Sequence, residues 1–171
     1  ITCSAKKEKG EIVVMKKQKS MGNKGFSLVE LIIVIAIMAI LVGVLAPQLL
    51  RYVERTRVSA DTQVADSVKT AITTAMLDPA VISATTPGTP AAGATLDLAT
   101  AADFTGAFGT AVAETLGYAD VATMTGTNGI VSELQSNGAS GITATIDATG
   151  NRVTVTITGS DDGNGNAITV D

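Results

Sequence analysis

The side chains that usually carry out chemistry are scarce in this chain of 171 residues. There is no His, so the commonest general base is missing. The one Cys is Cys3, and Lys69 is the one Lys beyond residue 25. A lone thiol excludes an internal disulfide and a thiolate metal cluster. Ser and Thr hydroxyls and scattered carboxylates therefore find no base to pair with, and no enzyme activity is expected. One stretch has the oxygen-rich look of a cation loop: Asp161-Asp162-Gly163-Asn164-Gly165-Asn166. Oxygens at alternate positions from Asp162, Asn164 and Asn166 suit a hard ion such as calcium. Against this, Ala167 stands where the calcium-loop pattern wants Gly, and no Glu follows. Asn and Gly also simply build turns. No cofactor is expected, with calcium at those three residues as the lesser alternative.

Glu30 is the more telling acid. It is the single charge within Phe26–Leu50, 25 residues otherwise broken only by Ser27 and Gln48. As a helix this stretch is ~37 Å long, enough to cross a hydrocarbon layer of about 30 Å with some tilt. A buried core helix is the other reading, but the remaining chain is too small and too poor in large side chains to surround it. A carboxylate inside such a segment is costly unless it is neutralised or paired. The charges around it are uneven. Residues 1–25 hold seven Lys and two Glu, a balance of +5; residues 26–171 hold five basic and fourteen acidic residues, a balance of −9. Basic residues ahead of an apolar segment hold that end in the cytoplasm. The acidic remainder is unsuited to neutralising phosphates, so no nucleic acid is expected as a direct partner.

These residues need a long helix to position them. Beyond Leu50 come Arg51, Glu54, Arg55 and Arg57, and then a new pattern. Val53, Ala60, Val64, Val68, Ala71 and Ala75 recur at helical spacing and mark an apolar face. Asp61 and Asp66 read as a solvated face. Asp78-Pro79 is a stop, because proline disfavours helix in the residue before it. One helix is thus expected from Phe26 to Leu77, apolar in its first half and amphipathic in its second. Pro47 lacks a backbone donor and is expected to kink it, with Gly43 as a second interruption. Residues 79–100 read as a loop, and a short helix is expected over Ala107–Leu116. Ile142–Ile146 and Val153–Ile157 alternate around a turn at Asp147–Asn151 and read as a β-hairpin; Ile168-Thr169-Val170 is a third strand. The fold class is therefore α+β, with a small antiparallel sheet on the amphipathic part of the long helix.

The division along the chain follows. Residues 1–14, ahead of Met15, read as an upstream extension, and 15–25 as a basic leader. Residues 26–50 form the membrane or assembly helix. Residues 51–171 form the head, with helix 51–77, a variable region 78–140 and the hairpin region 141–171.

Lys24-Gly25-Phe26-Ser27-Leu28-Val29-Glu30, set against the apolar run that contains Pro47, resembles the signal of type IV prepilins and pseudopilins. The resemblance is close over residues 15–50 and architectural beyond. It implies cleavage between Gly25 and Phe26 by a membrane prepilin peptidase, N-methylation of Phe26 by the same enzyme, and a role for Glu30 in assembly. Pro47 matches the family's helix-kinking proline, and Gly43 lies in the stretch that loosens in some assembled pili. Physics supports the pairing: cleavage creates a cation at Phe26, and a neighbouring subunit can bring it to Glu30, fixing register more than stability. A Glu snorkelling to the surface in an ordinary signal anchor is the alternative. The implied partners are identical subunits in a homopolymer, the peptidase, an assembly platform with its ATPase, and the membrane; no nucleotide-binding motif occurs in this chain. The implied location is the cytoplasmic (inner) membrane, with the N-terminus inside and the head outside, and then an extracellular pilus. The implied function is a structural pilus subunit for adhesion or motility. A pseudopilin of a secretion or DNA-uptake system and a membrane-anchored ligand-binding protein stand as alternatives.

Overall fold

A single helix, α1 (Leu28–Leu77), accounts for 50 residues in a computed structural model that describes residues 25–161 and 166–171. The chain divides into two units, Ile1–Leu41 and Val42–Asp171. In the second unit the carboxyl-terminal part of α1 is followed by α2 (Pro79–Ile82), β1 (Thr95–Asp97), α3 (Gly106–Thr115), α4 (Val121–Thr125), β2 (Gly141–Ile146), β3 (Val153–Asp161) and β4 (Ala167–Val170), with two 3-10 turns between them. The strands form one antiparallel sheet in the order β1-β2-β3-β4. The architecture is α+β and pilin-like: a long helix, apolar at its N-terminal end, with a small four-stranded sheet packed against its second half.

The sheet follows directly from alternation. Ile142, Ala144 and Ile146 on β2 are buried, as are Val153, Val155 and Ile157 on β3, while the threonines between them point outward or sit half-exposed. Ile142 lies opposite Ile157 and Ala144 opposite Val155, so apolar pairs meet on one face. The connecting turn is closed by Asp147, whose carboxylate accepts from the Thr149 hydroxyl and from the Asn151 and Arg152 amides. The third strand is present as β4. Asp78 ends α1 as expected and then caps α2 by accepting from the Ala80 amide, with Pro79 at the first helical position, where its missing N–H costs nothing.

The region read as a loop is more ordered than its composition suggests. β1 adds an edge strand, with Leu96 buried and opposite Ala144. The segment at residues 86–88 docks on the start of α3. The Ala107 and Phe108 amides donate to the carbonyls of Thr86 and Pro87 at 2.9 and 2.8 Å, replacing the side-chain cap that Thr105 does not supply. That approach is close enough to demand glycine on both sides. A Cβ on Gly106 (φ +62°) would lie 2.2 Å from the Thr86 oxygen, and one on Gly88 (φ +64°) 1.9 Å from the Thr105 oxygen.

The core of this unit combines Ala65, Val68, Ala71, Ile72 and Ala75 of α1 with Phe104, Phe108, Val112, Met124 and the inner sheet face. Phe104 and Phe108 stack with ring centroids 6.1 Å apart. The buried stripe of α1 is rotated from the one the sequence suggested. Val68, Ala71 and Ala75 are buried as expected, but Val53 is exposed, Ala60 and Val64 are half-buried, and the stripe is completed by Asp61, Ala65 and Ile72. Asp61 therefore corrects the sequence reading: it is not on a solvated face but fully buried. The cause is the segment at residues 135–137. The Gln135 and Ser136 amides donate to the two Asp61 oxygens at 2.8 and 2.9 Å, and the Ser136 hydroxyl donates to Asp61 as well. The Ser136 and Ser160 hydroxyls are in turn 2.6 Å apart. A buried carboxylate is tolerated when its lone pairs are filled in this way. Asp66 is exposed, as expected.

Candidate functional site

Gly25, Phe26 and Ser27 precede α1 in extended or irregular backbone, and the helix opens with the Leu31 amide donating to the Ser27 carbonyl at 3.1 Å. Phe26 is 85 % exposed. Glu30 lies in the first turn of α1, where a negative charge suits the unpaired amides and the helix dipole. It makes no ion pair with a described residue. Phe26 lies two residues ahead of α1 and Glu30 two residues inside it.

From Leu28 to Leu50 the large apolar side chains, Ile35, Ile40 and Leu45 among them, are all exposed. The stretch is long and apolar enough to cross a membrane, and none of its most apolar window is buried within the chain. α1 continues through Pro47 without interruption. Pro47 has no N–H to offer Gly43, four residues earlier, so that carbonyl lacks its helical donor. A Cβ on Gly43 would meet nothing within 4 Å, so no close approach inside the chain demands glycine there. What this segment presents is an uncovered apolar surface with one acid at its start.

At the other end of that surface the charges divide. Arg57 pairs with Glu54 at 3.7 Å, and Glu54 accepts the Asn137 amide at 2.7 Å. Three consecutive amides, of residues 135, 136 and 137, thus fall on two carboxylates seven residues apart on α1. Sequence reasoning missed this clasp. Its one local signal was the spacing of Glu54 and Asp61, which places both on one helix face. Arg51 and Arg55 remain exposed, without an ion pair to a described residue.

Of the calcium candidates, Asp162 and Asn164 lie outside the described residues, and Asn166 is exposed just ahead of β4. Among the described residues no cluster of three or more His, Cys, Asp or Glu side chains could hold a metal ion.

A long helix whose first half is apolar and uncovered, with a small sheet on its second half, defines a pilin-like protein. Residues 20–46 match the family described as the prokaryotic N-terminal methylation motif. Two curated relatives, each a type IV major fimbrial protein FimA of Dichelobacter nodosus, are 43 % identical to this chain over 56 residues, 33 % of it, and 36 % and 35 % of the relatives. The match thus spans about a third of the length of those relatives. No solved structure gives a significant match. Over its N-terminal third, then, this chain is similar to type IV fimbrial proteins, and it carries the methylation motif there.

Proposed function

We propose that this chain is a structural subunit of a type IV pilus, synthesised as a precursor, held in the membrane by the first half of α1 and polymerised through it. The observation that carries this reading is the apolar surface from Leu28 to Leu50, exposed throughout and headed by a single Glu. Such a surface needs an apolar surrounding, first lipid and then the same helices of other copies. At ~25 cal/mol per Å² of apolar area, its burial is the natural source of filament cohesion. The matched motif and the fimbrial relatives support the same reading.

In this reading a prepilin peptidase cuts between Gly25 and Phe26 and methylates the new amine. Both residues are exposed and outside the helix, a geometry a protease can enter. The Phe26 cation of one subunit meets Glu30 of the next and sets their register. Gly43 and Pro47 are the place where α1 can loosen. The function is structural rather than enzymatic; extension depends on a separate platform and ATPase. The head lies outside the cytoplasmic membrane before assembly and in the extracellular filament after it.

Terminal peptide sequencing and intact mass of the protein from native cells test this. The expected chain begins at Phe26 and carries one added methyl group. A chain beginning at Met15 or Met21 would instead describe an uncleaved signal anchor, and the filament reading would fall.

A further inference from the structure

The head carries an open groove of about 580 Å³ beside α1. Val64, Leu116 and Ile130 give it an apolar floor, and Asp66 and Glu133 stand on its walls. No basic side chain lines it. Lys69, one turn from Asp66, is turned elsewhere and donates to the Asp171 carbonyl. Glu133 accepts the Tyr118 hydroxyl with one oxygen, at 2.7 Å, and its second oxygen has capacity left.

The complementary surface is on the same helix. Leu49, Arg51, Tyr52 and Arg55 border a second open concavity of about 660 Å³, with both guanidiniums unpaired among the described residues. One face is therefore acidic over an apolar floor, and the other is basic with Leu and Tyr between the charges. They cannot meet within one chain. Arg55 and Asp66 are eleven residues apart on a continuous helix, ~16 Å along its axis. Eleven residues are close to three full turns, so the two side chains leave α1 on the same side.

We infer that the groove beside Val64, Asp66 and Glu133 receives the Arg51–Arg55 edge of a second copy of this chain, shifted by about three helical turns. The inference rests on the assembly reading above and adds a second, head-level contact to it. Such a contact joins two different patches and does not close on itself, so it propagates as an open helical array. The shift of ~16 Å differs from the offset of at most ~10 Å, two extended and two helical residues, that would bring Phe26 of one copy level with Glu30 of another. The two contacts therefore join a subunit to two different neighbours. Complementary charge at this position sets register and excludes wrong offsets more than it adds affinity.

The test is a cross-link. Beyond Cys3 the chain has no cysteine, so the double variant R55C/D66C carries one reactive pair. Filaments sheared from cells and treated with a short bifunctional thiol reagent should yield a ladder of covalent multimers, and neither single variant should. In parallel, R55D should lower filament yield roughly tenfold through like-charge contact, and R55D/D66R should restore it. Abundant filaments that give no ladder, with R55D at wild-type yield, would overturn this contact while leaving the assembly reading intact. A wild-type strain without filaments would overturn both. If R55D instead weakens binding to vesicles of anionic phospholipid and D66R does not rescue its yield, Arg55 serves the lipid surface and the contact is wrong.

Discussion

The two halves of α1 use the same backbone for opposite ends. In the first half, Ile33, Ile35, Leu41 and Leu45 are large and more than half exposed. In the second, Ala65, Val68, Ala71 and Ala75 are small and buried. Large side chains are placed where nothing in the chain covers them, and small ones where the sheet and α3 come close. The difference teaches that hydrophobicity alone does not locate a core. Volume differs as well: apart from Ile72, the buried face of the second half carries small side chains, whereas the uncovered first half carries many large ones.

This contrast can be broken at either end, and the largest effect belongs to the head. Phe108→Ala removes a fully buried ring and should cost about 3–5 kcal/mol, read as a lowered melting temperature of the full chain in detergent. Ile33→Ala should leave that melting unchanged while reducing filament yield, because its surface is covered only by other molecules. Equal losses of thermal stability from the two changes would erase the distinction between the two halves.

Asp61→Ala comes next. It strips acceptors from the Gln135 and Ser136 amides and from the Ser136 hydroxyl; the hydroxyl keeps Ser160 and the Gln135 bond is only part-buried, so the cost is chiefly that of one buried unpaired amide, about 1–3 kcal/mol. Asp66→Ala, on the exposed side of the same helix, should stay within about 0.5 kcal/mol. Gly106→Ala follows, at about 1–3 kcal/mol for a strained position with the Thr86 oxygen 2.2 Å from the new methyl. Gly43→Ala meets open space and should stabilise helix by at most about 1 kcal/mol; its effect, if any, should fall on filament yield.

The smallest effects are those of pH, and they sharpen the picture of the head alone. Hydrogen bonds from Thr123 hold the Asp120 carboxyl below its usual range, and that of Thr149, with the turn amides, does the same for Asp147. A group depressed in the folded state adds stability above its unfolded pKa and loses it as pH falls through the folded one. Melting temperature should therefore slip as pH drops below the ordinary Asp range, and less so in D120N/D147N. Tyr118 has the reverse sign. Burial, followed by its bond to Glu133, pushes its phenol up to about 12. Its contribution is complete below the ordinary phenol range and lost as pH rises towards that value. A spectrophotometric titration should show one phenolate appearing late, and earlier in E133Q.

Much of this was legible in the residues. The hairpin is written in the alternation of Ile142–Ile146 and Val153–Ile157, and the first half of α1 in its unbroken apolar run. The stop at Asp78-Pro79 and the position of α3 follow from local chemistry. Other features were hidden. β1 is three residues long within a Pro- and Ala-rich stretch, too short for periodicity to register. The rotation of the buried stripe turned on Asp61, which any local reading sends to solvent; its donors lie 74 and 75 residues away. The docking of residues 86–88 on α3 depends on two backbones meeting at paired glycines, and Gly88 and Gly106 taken singly look like ordinary loop residues. The apolar segment was legible as an uncovered surface because its meaning lies in composition. The groove beside Asp66 was not, because Leu116, Ile130 and Glu133 reach it from distant parts of the chain.

The clasp of Glu54 and Asp61 also makes length a protected quantity in this part of the gene. Seven residues bring the second carboxylate almost back over the first, and a single inserted or deleted codon between them would swing Glu54 about 100° around the helix. Point changes at Arg55, Thr56 or Arg57 leave that phase intact. Over long divergence, residues 55–60 should therefore drift in identity but not in number.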